Sequence, residues 1–127
     1  MKLLLDSHLL IWQIGQPRKL SVAARAYLDN PANELLFSAA SIWEIAIKYA
    51  RGRDDFRIDP RLLRRGLLDH GYIELPVTSA HAVAIGQLPP LHKDPFDRIL
   101  IAQSAEEEIL LLTVDPRVAQ YRGLVRG

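Results

Sequence analysis

The sequence predicts an α/β fold in which a central, mostly parallel sheet lies between helical layers, a three-layer α/β/α sandwich. Three observations carry that expectation. Short apolar runs alternate with segments of helical periodicity, the pattern of repeated strand-helix units. Two of those runs, Leu3–Leu5 and Ile109–Val114, are apolar or β-compatible at consecutive positions, as strands buried on both faces are. Acids stand where these runs stop, at the strand ends where such sheets present their chemistry.

Leu3–Leu5 is the first strand, and Asp6-Ser7 stops it, either residue being able to cap a short helix through Leu9-Leu10-Ile11-Trp12. Ser21 then caps a helix holding Val22, Ala26 and Tyr27, which ends near Asp29-Asn30-Pro31. Glu34–Phe37 reads as a second strand. Ile42, Ile45, Ala46 and Tyr49 follow at the i, i+3, i+4, i+7 spacing of a buried helical stripe, with Gly52 as its stop.

Pro60 opens a helix carrying Leu62, Leu63, Leu67 and Leu68, with Gly71 beyond its end. Tyr72–Leu75 is the third strand, and Thr78 caps a short helix to Ile85. Leu88-Pro89-Pro90 makes a stiff loop before Asp94-Pro95, the clearest helix start in the chain, which runs to about Glu107. Ile109–Val114 is the last predicted strand and stops at Asp115-Pro116, where Pro116 suggests another helix.

The 127 residues suit one domain, 1–127, and 49% hydrophobic content suffices for one sizeable core. Sixteen Lys plus Arg against 15 Asp plus Glu leave a formal charge of +1, so bulk charge selects no partner. The absence of cysteine removes disulfides, thiolate nucleophiles and Cys-type zinc sites, and suits a reducing, cytoplasmic setting. A charge follows three leucines at the N-terminus, too soon for a secretory core, and no apolar run approaches the ~20 residues needed to span a bilayer. A soluble, unprocessed protein is expected.

Asp6, Glu44, Asp97 and Asp115 recur at the joints of the chain. Each has a local explanation. Asp6 fits a helix N-cap; Glu44 fits a capping box with Ser41 and an i,i+4 pair with Lys48; Asp115-Pro116 fits a turn. Asp94 as N-cap, Pro95 at the first helical position and Asp97 two further on make a nearly ideal helix start. Only Asp94 is needed as the cap, so Asp97 is assigned the catalytic role and Asp94 mainly the capping one. Four separate capping accidents at one edge of one sheet would be required to explain the set. Gathered there, the carboxylates would repel unless a divalent cation or a shared proton relieved them. Hard oxygen donors without Cys or a His pair at ligand spacing suit Mg²⁺, with Mn²⁺ as a substitute, and such ions serve phosphoryl chemistry.

Other residues carry less. Ser7 and His8 adjoin Asp6 in sequence, but neighbouring side chains diverge, so no Ser-His-Asp relay follows. His70, His81 and His92 read as surface or packing residues, and Trp12 and Trp43 as core aromatics. Between Arg51 and Arg65 stand six arginines and three aspartates. Arg61, Arg64 and Arg65 share a helix face that could guide a phosphate backbone or simply be solvated. Arg98 could contact phosphate or pair with an acid.

Leu4-Leu5-Asp6-Ser7-His8, the stretch Ser38-Ala39-Ala40-Ser41-Ile42-Trp43-Glu44-Ile45-Ala46-Ile47-Lys48, Leu75-Pro76-Val77-Thr78, Asp94-Pro95-Phe96-Asp97-Arg98 and Leu112-Thr113-Val114-Asp115 together resemble PIN-domain proteins, above all the VapC-type toxins of bacterial toxin–antitoxin pairs. The blocks occur in the family's order and span nearly the whole chain. The resemblance implies a PIN-like fold and a Mg²⁺-dependent endoribonuclease whose acidic pocket matches Asp6, Glu44, Asp97 and Asp115. It implies metal binding by Asp6 and Asp97, with Glu44 and Asp115 completing the pocket directly or through water, and Ser7 fixing Asp6 or touching phosphate. A homodimer, inhibited by a small antitoxin that blocks the cleft, is also implied. Two departures are visible: Ser7 stands where threonine is common, and Arg51–Ile58 is more charged than the usual Gly-Lys-Leu turn.

Three rival readings remain open on the sequence. A DNA nuclease or phosphatase would use the same acids, and comparing RNA, DNA and a small phosphoester as substrates separates them. A receiver module requires a lysine after a late strand, and no lysine follows Lys93. A catalytically inactive binding domain would have no use for all four carboxylates.

Overall fold

The structure, a computed structural model, describes residues 1–118 and the backbone of 124–126. Its first strand, β1 (Lys2–Leu5), lies at the centre of a five-stranded sheet. Beside it run β2 (Glu34–Ser38) and β4 (Leu110–Thr113); β3 (Ile73–Leu75) and β5 (Leu124–Arg126) form the edges. Every neighbouring pair is parallel, with Leu4 opposite Leu36 on one side and Leu111 on the other. This is the α/β architecture that the consecutive apolar runs predict.

The central strands have no solvent face. Leu3 and Leu5, with Phe37 and Leu112, enter a core completed by Leu9, Leu10, Ile45, Leu63 and Leu67. Leu4, with Leu36 and Leu111, enters a second core completed by Leu100, Ile101 and Val118. The period of two therefore persists, with leucine on both phases because helices cover both faces. Each fully buried leucine contributes roughly 1.5–3 kcal/mol of apolar transfer.

Among the described residues, six α-helices fill the connections: α1 (Ser7–Gly15), α2 (Val22–Asp29), α3 (Ala39–Ala50), α4 (Pro60–Asp69), α5 (Ser79–Ala84) and α6 (Pro95–Glu107). Their starts follow the expected chemistry, with Asp6, Ser21, Asp59, Thr78 and Asp94 each accepting a first-turn amide. α6 ends where Glu108 takes a left-handed φ of 55°.

Several local expectations need correction. The cap of α3 is Ser38, whose Oγ accepts from the Ala40 amide at 3.0 Å, so Ser41 and Glu44 lie within the helix and form no capping box. α2 holds Val22, Ala26 and Tyr27 as expected, with Ala24 and Leu28 as its buried residues. In α4, Leu63 and Leu67 are buried and Leu62 and Leu68 are exposed, because a helix this short buries a single i, i+4 stripe. Trp43 is 63% exposed rather than a core aromatic, since Glu44 and Ile45 take the inward face of α3. After Asp115 the chain turns at 116–117; any continuation of the helix expected from Pro116 lies outside the described residues. β5 had no counterpart in the sequence expectation. Among the described residues, no helix is long and apolar enough to cross a membrane.

Candidate active site

All four acids line one cleft of about 320 Å³ at the carboxyl edge of β2, β1 and β4. Asp6 leaves β1, Asp115 follows β4, Glu44 comes from the helix after β2, and Asp97 from the first turn of α6. Ser7, Asp94, His8, Lys48, Arg53 and Arg117 share the lining.

Asp6 is the most constrained. Its Oδ1 accepts the Leu9 amide at 3.0 Å, so the capping role is real, while Oδ2 accepts the Thr113 hydroxyl at 2.6 Å and the Val114 amide at 3.0 Å. Its own amide donates to the Leu112 carbonyl at 3.0 Å, carrying the β1–β4 pairing up to the acid. Burial pushes the Asp6 carboxyl up, and the three donors only partly offset it. A carboxylate offers about four acceptor positions, so one on Oδ1 remains for another ligand.

Glu44 is 4% exposed and held at both oxygens. Ser7 Oγ donates to Oε1 at 2.6 Å, and Lys48 Nζ donates to Oε2 at 2.5 Å, one helical turn on. Ser7 also lies 3.1 Å from the Ser41 hydroxyl. With its only proton given to a carboxylate, Ser7 accepts there and Ser41 donates. Ser7 thus braces Glu44, its hydroxyl engaged by Glu44 and Ser41. Lys48 lies over the Phe56 ring, 4.6 Å from its centroid, which helps hold the ammonium in the cleft lining.

Asp94 caps α6 through Oδ1, which accepts from the Phe96 and Asp97 amides at 2.9 and 3.1 Å. Asp97, thereby oriented, meets His92 with its Oδ2 2.6 Å from Nε2. Its carboxyl is pushed up to about 6: burial is the main cause, and the charges of Asp94 and Glu44 add to it against the opposing contact with His92. Asp115 behaves oppositely. Burial would raise it, but the Arg117 backbone amide at 2.8 Å and guanidinium at 3.1 and 3.3 Å outweigh that and hold it below the ordinary carboxylate range.

Arg98 stands apart from the acids' hydrogen bonds. It donates to the His92 and Ile85 carbonyls, both at 3.0 Å, and so pins the loop that carries His92. Arg61, Arg64 and Arg65 are exposed on α4 and none lines the cleft. Beside the cleft, Trp43 meets the Phe96 ring edge-on at 5.2 Å in an apolar groove of about 510 Å³ that includes Ala40 and Pro95.

Sequence reasoning passed over Thr113, Ser41 and His92 as site residues. Thr113 and Ser41 carried a faint signal, a hydroxyl inside an apolar run. For His92 the signal was a histidine on a proline-stiffened loop just before an acidic helix start. Among the described residues, one ring nitrogen of His92 and one oxygen each of Asp97 and Asp115 lie within 4.8 Å of one another. Ligands about 2.0–2.4 Å from one cation stand no further apart than about 4.8 Å, and a cation there would offset the burial and neighbouring charges that raise Asp97. The donor set fits a divalent ion.

A parallel sheet wrapped by helices, with acids converging from three of its strand ends, defines a class of small α/β proteins with an acidic cleft at the sheet edge. The chain matches the PIN domain family over residues 3–124 and belongs to that family. It is 30% identical over 119 residues to Ribonuclease VapC22 of Mycobacterium tuberculosis, covering 94% of this chain and 91% of that one, which places it with the VapC-type members. The fold is also that of VapBC2 from Rickettsia felis bound to a promoter DNA fragment (TM-score 0.73, 10% identity, 100% and 98% coverage of the two chains). DNA-bound VapBC from Salmonella typhimurium is likewise similar (TM-score 0.69, 14% identity, 100% and 97% coverage).

Proposed function

We propose that this protein is a divalent-cation-dependent endoribonuclease, the toxin of a VapBC-type toxin–antitoxin pair, hydrolysing RNA phosphodiester bonds. The observation that carries the reading is the convergence of Asp6, Glu44, Asp97 and Asp115 in one cleft. The curated relative, named a ribonuclease, supports the reaction class, and the VapBC likenesses support an antitoxin partner. A homodimer and a cytoplasmic setting belong to the same proposal.

Asp97 and Asp115 would hold the cation, Mg²⁺ or Mn²⁺, with the open acceptor position on Asp6 Oδ1 completing the set from β1. When bound, the ion supplies Lewis acidity to the phosphate and acidifies water. The chain does the rest. Thr113 and the Leu9 and Val114 amides fix the Asp6 carboxylate before substrate arrives. Ser7 and Lys48 hold Glu44 at the cleft wall, where it orients the attacking water. Arg117, at the rim, can exchange its bond to Asp115 for a phosphate oxygen.

The test compares cleavage of RNA, matched DNA and a small phosphoester with and without chelator. RNA cleavage that chelation stops and Asp97→Asn abolishes is the expected result. Cleavage that survives Asp97→Asn overturns the assignment, and preferential cleavage of DNA or the phosphoester replaces the substrate class.

A further inference from the structure

We propose that His92 is itself a ligand of the cation in the acidic cleft, making a mixed nitrogen and oxygen site that selects Mn²⁺ over Mg²⁺. The inference rests on the cation-dependent reading above and concerns which ion and which donors that site uses.

Position is the first argument. His92 is 7% exposed, and its Nε2 meets Asp97 Oδ2 at 2.6 Å, a short hydrogen bond whose shared proton a cation would displace, bringing nitrogen and oxygen onto one ion with a small outward shift. Asp115 brings a third donor within 4.8 Å. The other histidines are placed differently. His8 contacts Asp55 at 3.4 Å, His70 Nδ1 lies 2.8 Å from the Gly66 carbonyl, and His81 takes part in the capping box of α5.

Support of the ring is the second. The His92 carbonyl accepts from Arg98 at 3.0 Å, and the same guanidinium holds the Ile85 carbonyl. Arg98 follows Asp97 on α6, so ligand and loop are tied to one helical turn. A ligand held this way loses little conformational freedom when an ion binds.

Ligand chemistry then sets the ion. Mg²⁺ takes hard oxygen donors in near-octahedral geometry and dehydrates reluctantly, so a nitrogen donor in place of water gains it little. Imidazole favours the first-row transition ions, and Mn²⁺ accepts carboxylate and imidazole together. A site of Asp97 and Asp115 alone would discriminate weakly; the ring adds the discrimination.

The experiment titrates metal-free protein separately with MnCl₂ and MgCl₂ by calorimetry and records pulsed electron paramagnetic resonance of the bound Mn²⁺. The wild-type protein should bind Mn²⁺ about ten-fold or more tightly than Mg²⁺ and show imidazole nitrogen modulation. His92→Gln should weaken Mn²⁺ by about 10- to 100-fold, affect Mg²⁺ less, and lose the modulation, which His8→Gln keeps. Bound Mn²⁺ without imidazole modulation in the wild type overturns the ligand assignment while leaving a carboxylate site standing. Binding of neither ion overturns the cation-dependent reading as well. If His92→Gln fails to fold, the wild-type spectrum compared with His8→Gln decides, since modulation that vanishes in His8→Gln assigns the nitrogen elsewhere.

Discussion

Thr113 donates its hydroxyl to Asp6 at 2.6 Å across 107 positions of sequence, joining the last residue of β4 to the acid at the end of β1. The same oxygen accepts the Asp115 amide at 3.1 Å. One hydroxyl thus sets two of the four acids relative to each other, and it can do so because β1 and β4 are adjacent and parallel with Leu5 opposite Leu112.

Thr113→Val keeps the shape and removes that hydroxyl. Asp6 then carries two donors instead of three in a buried setting, and the Asp115 amide loses its acceptor. A stability loss of about 1–3 kcal/mol is expected, the cost of buried groups left unsatisfied. Cleavage should fall at the same time, and Thr113→Ser should restore most of both. Urea melts alongside an RNA cleavage assay measure it; a valine variant as stable and active as the wild type would remove Thr113 from the account.

Asp97→Asn separates catalysis from stability. The Asp97 carboxyl titrates near 6 in the folded protein against an unfolded value of 3.8, so between those pH values the folded state binds more protons than the unfolded one. Stability therefore falls as pH rises through that window, and the penalty is full above it. Because the group is partly solvated, the effect is on the order of 1–2 kcal/mol after screening. In chelator, Asp97→Asn should match or exceed the wild type in stability at pH 7 while having no cleavage activity. Melts at pH 4 and pH 7 test the sign: the wild type should lose ground to the variant on going to the higher pH.

How much of this was legible in the sequence depends on the range of each interaction. β1 and β4 were readable because leucine on both phases marks a strand covered on two sides, and the starts of α2, α4, α5 and α6 were readable because capping is decided within a few residues. β5 was not, since Leu124–Arg126 is too short to show a period. At the site, the acids announced themselves by standing at strand and helix joints. What holds them did not: Ser7 reaches Glu44 from 37 positions away, and Thr113 reaches Asp6 from 107. Trp43 misled for a related reason, because a large aromatic inside a helical motif reads as core unless its neighbours' inward direction is known.

Arg117 is 68% exposed at the side chain and binds Asp115 at both oxygens, so it competes with any cation for the same donors. Arg117→Gln should leave the melting temperature nearly unchanged, as surface substitutions do. It should raise the Asp115 carboxyl toward its ordinary range and tighten Mn²⁺ binding, because a neutral side chain neither occupies the oxygens nor repels the ion. Calorimetry reads the direction; weaker Mn²⁺ binding in the variant would mean that Arg117 orients Asp115 for the ion instead of opposing it.

Ser7 tests whether Glu44 needs its brace. Ser7→Ala leaves Glu44 Oε1 without the 2.6 Å donor and the Ser41 hydroxyl without its acceptor, both in buried positions. A loss of about 1–3 kcal/mol follows from the unsatisfied carboxylate. Ser7→Thr keeps the hydroxyl and adds one methyl at a residue that is 5% exposed, so its cost should be smaller and set by packing, about 1 kcal/mol or more. If Glu44 orients the attacking water, Ser7→Ala should lower kcat more than KM, whereas Ser7→Thr keeps kcat near the wild-type value. Parallel kinetics and melts on the two variants distinguish a brace on a catalytic acid from a merely structural hydroxyl, which would change stability and leave kcat where it was.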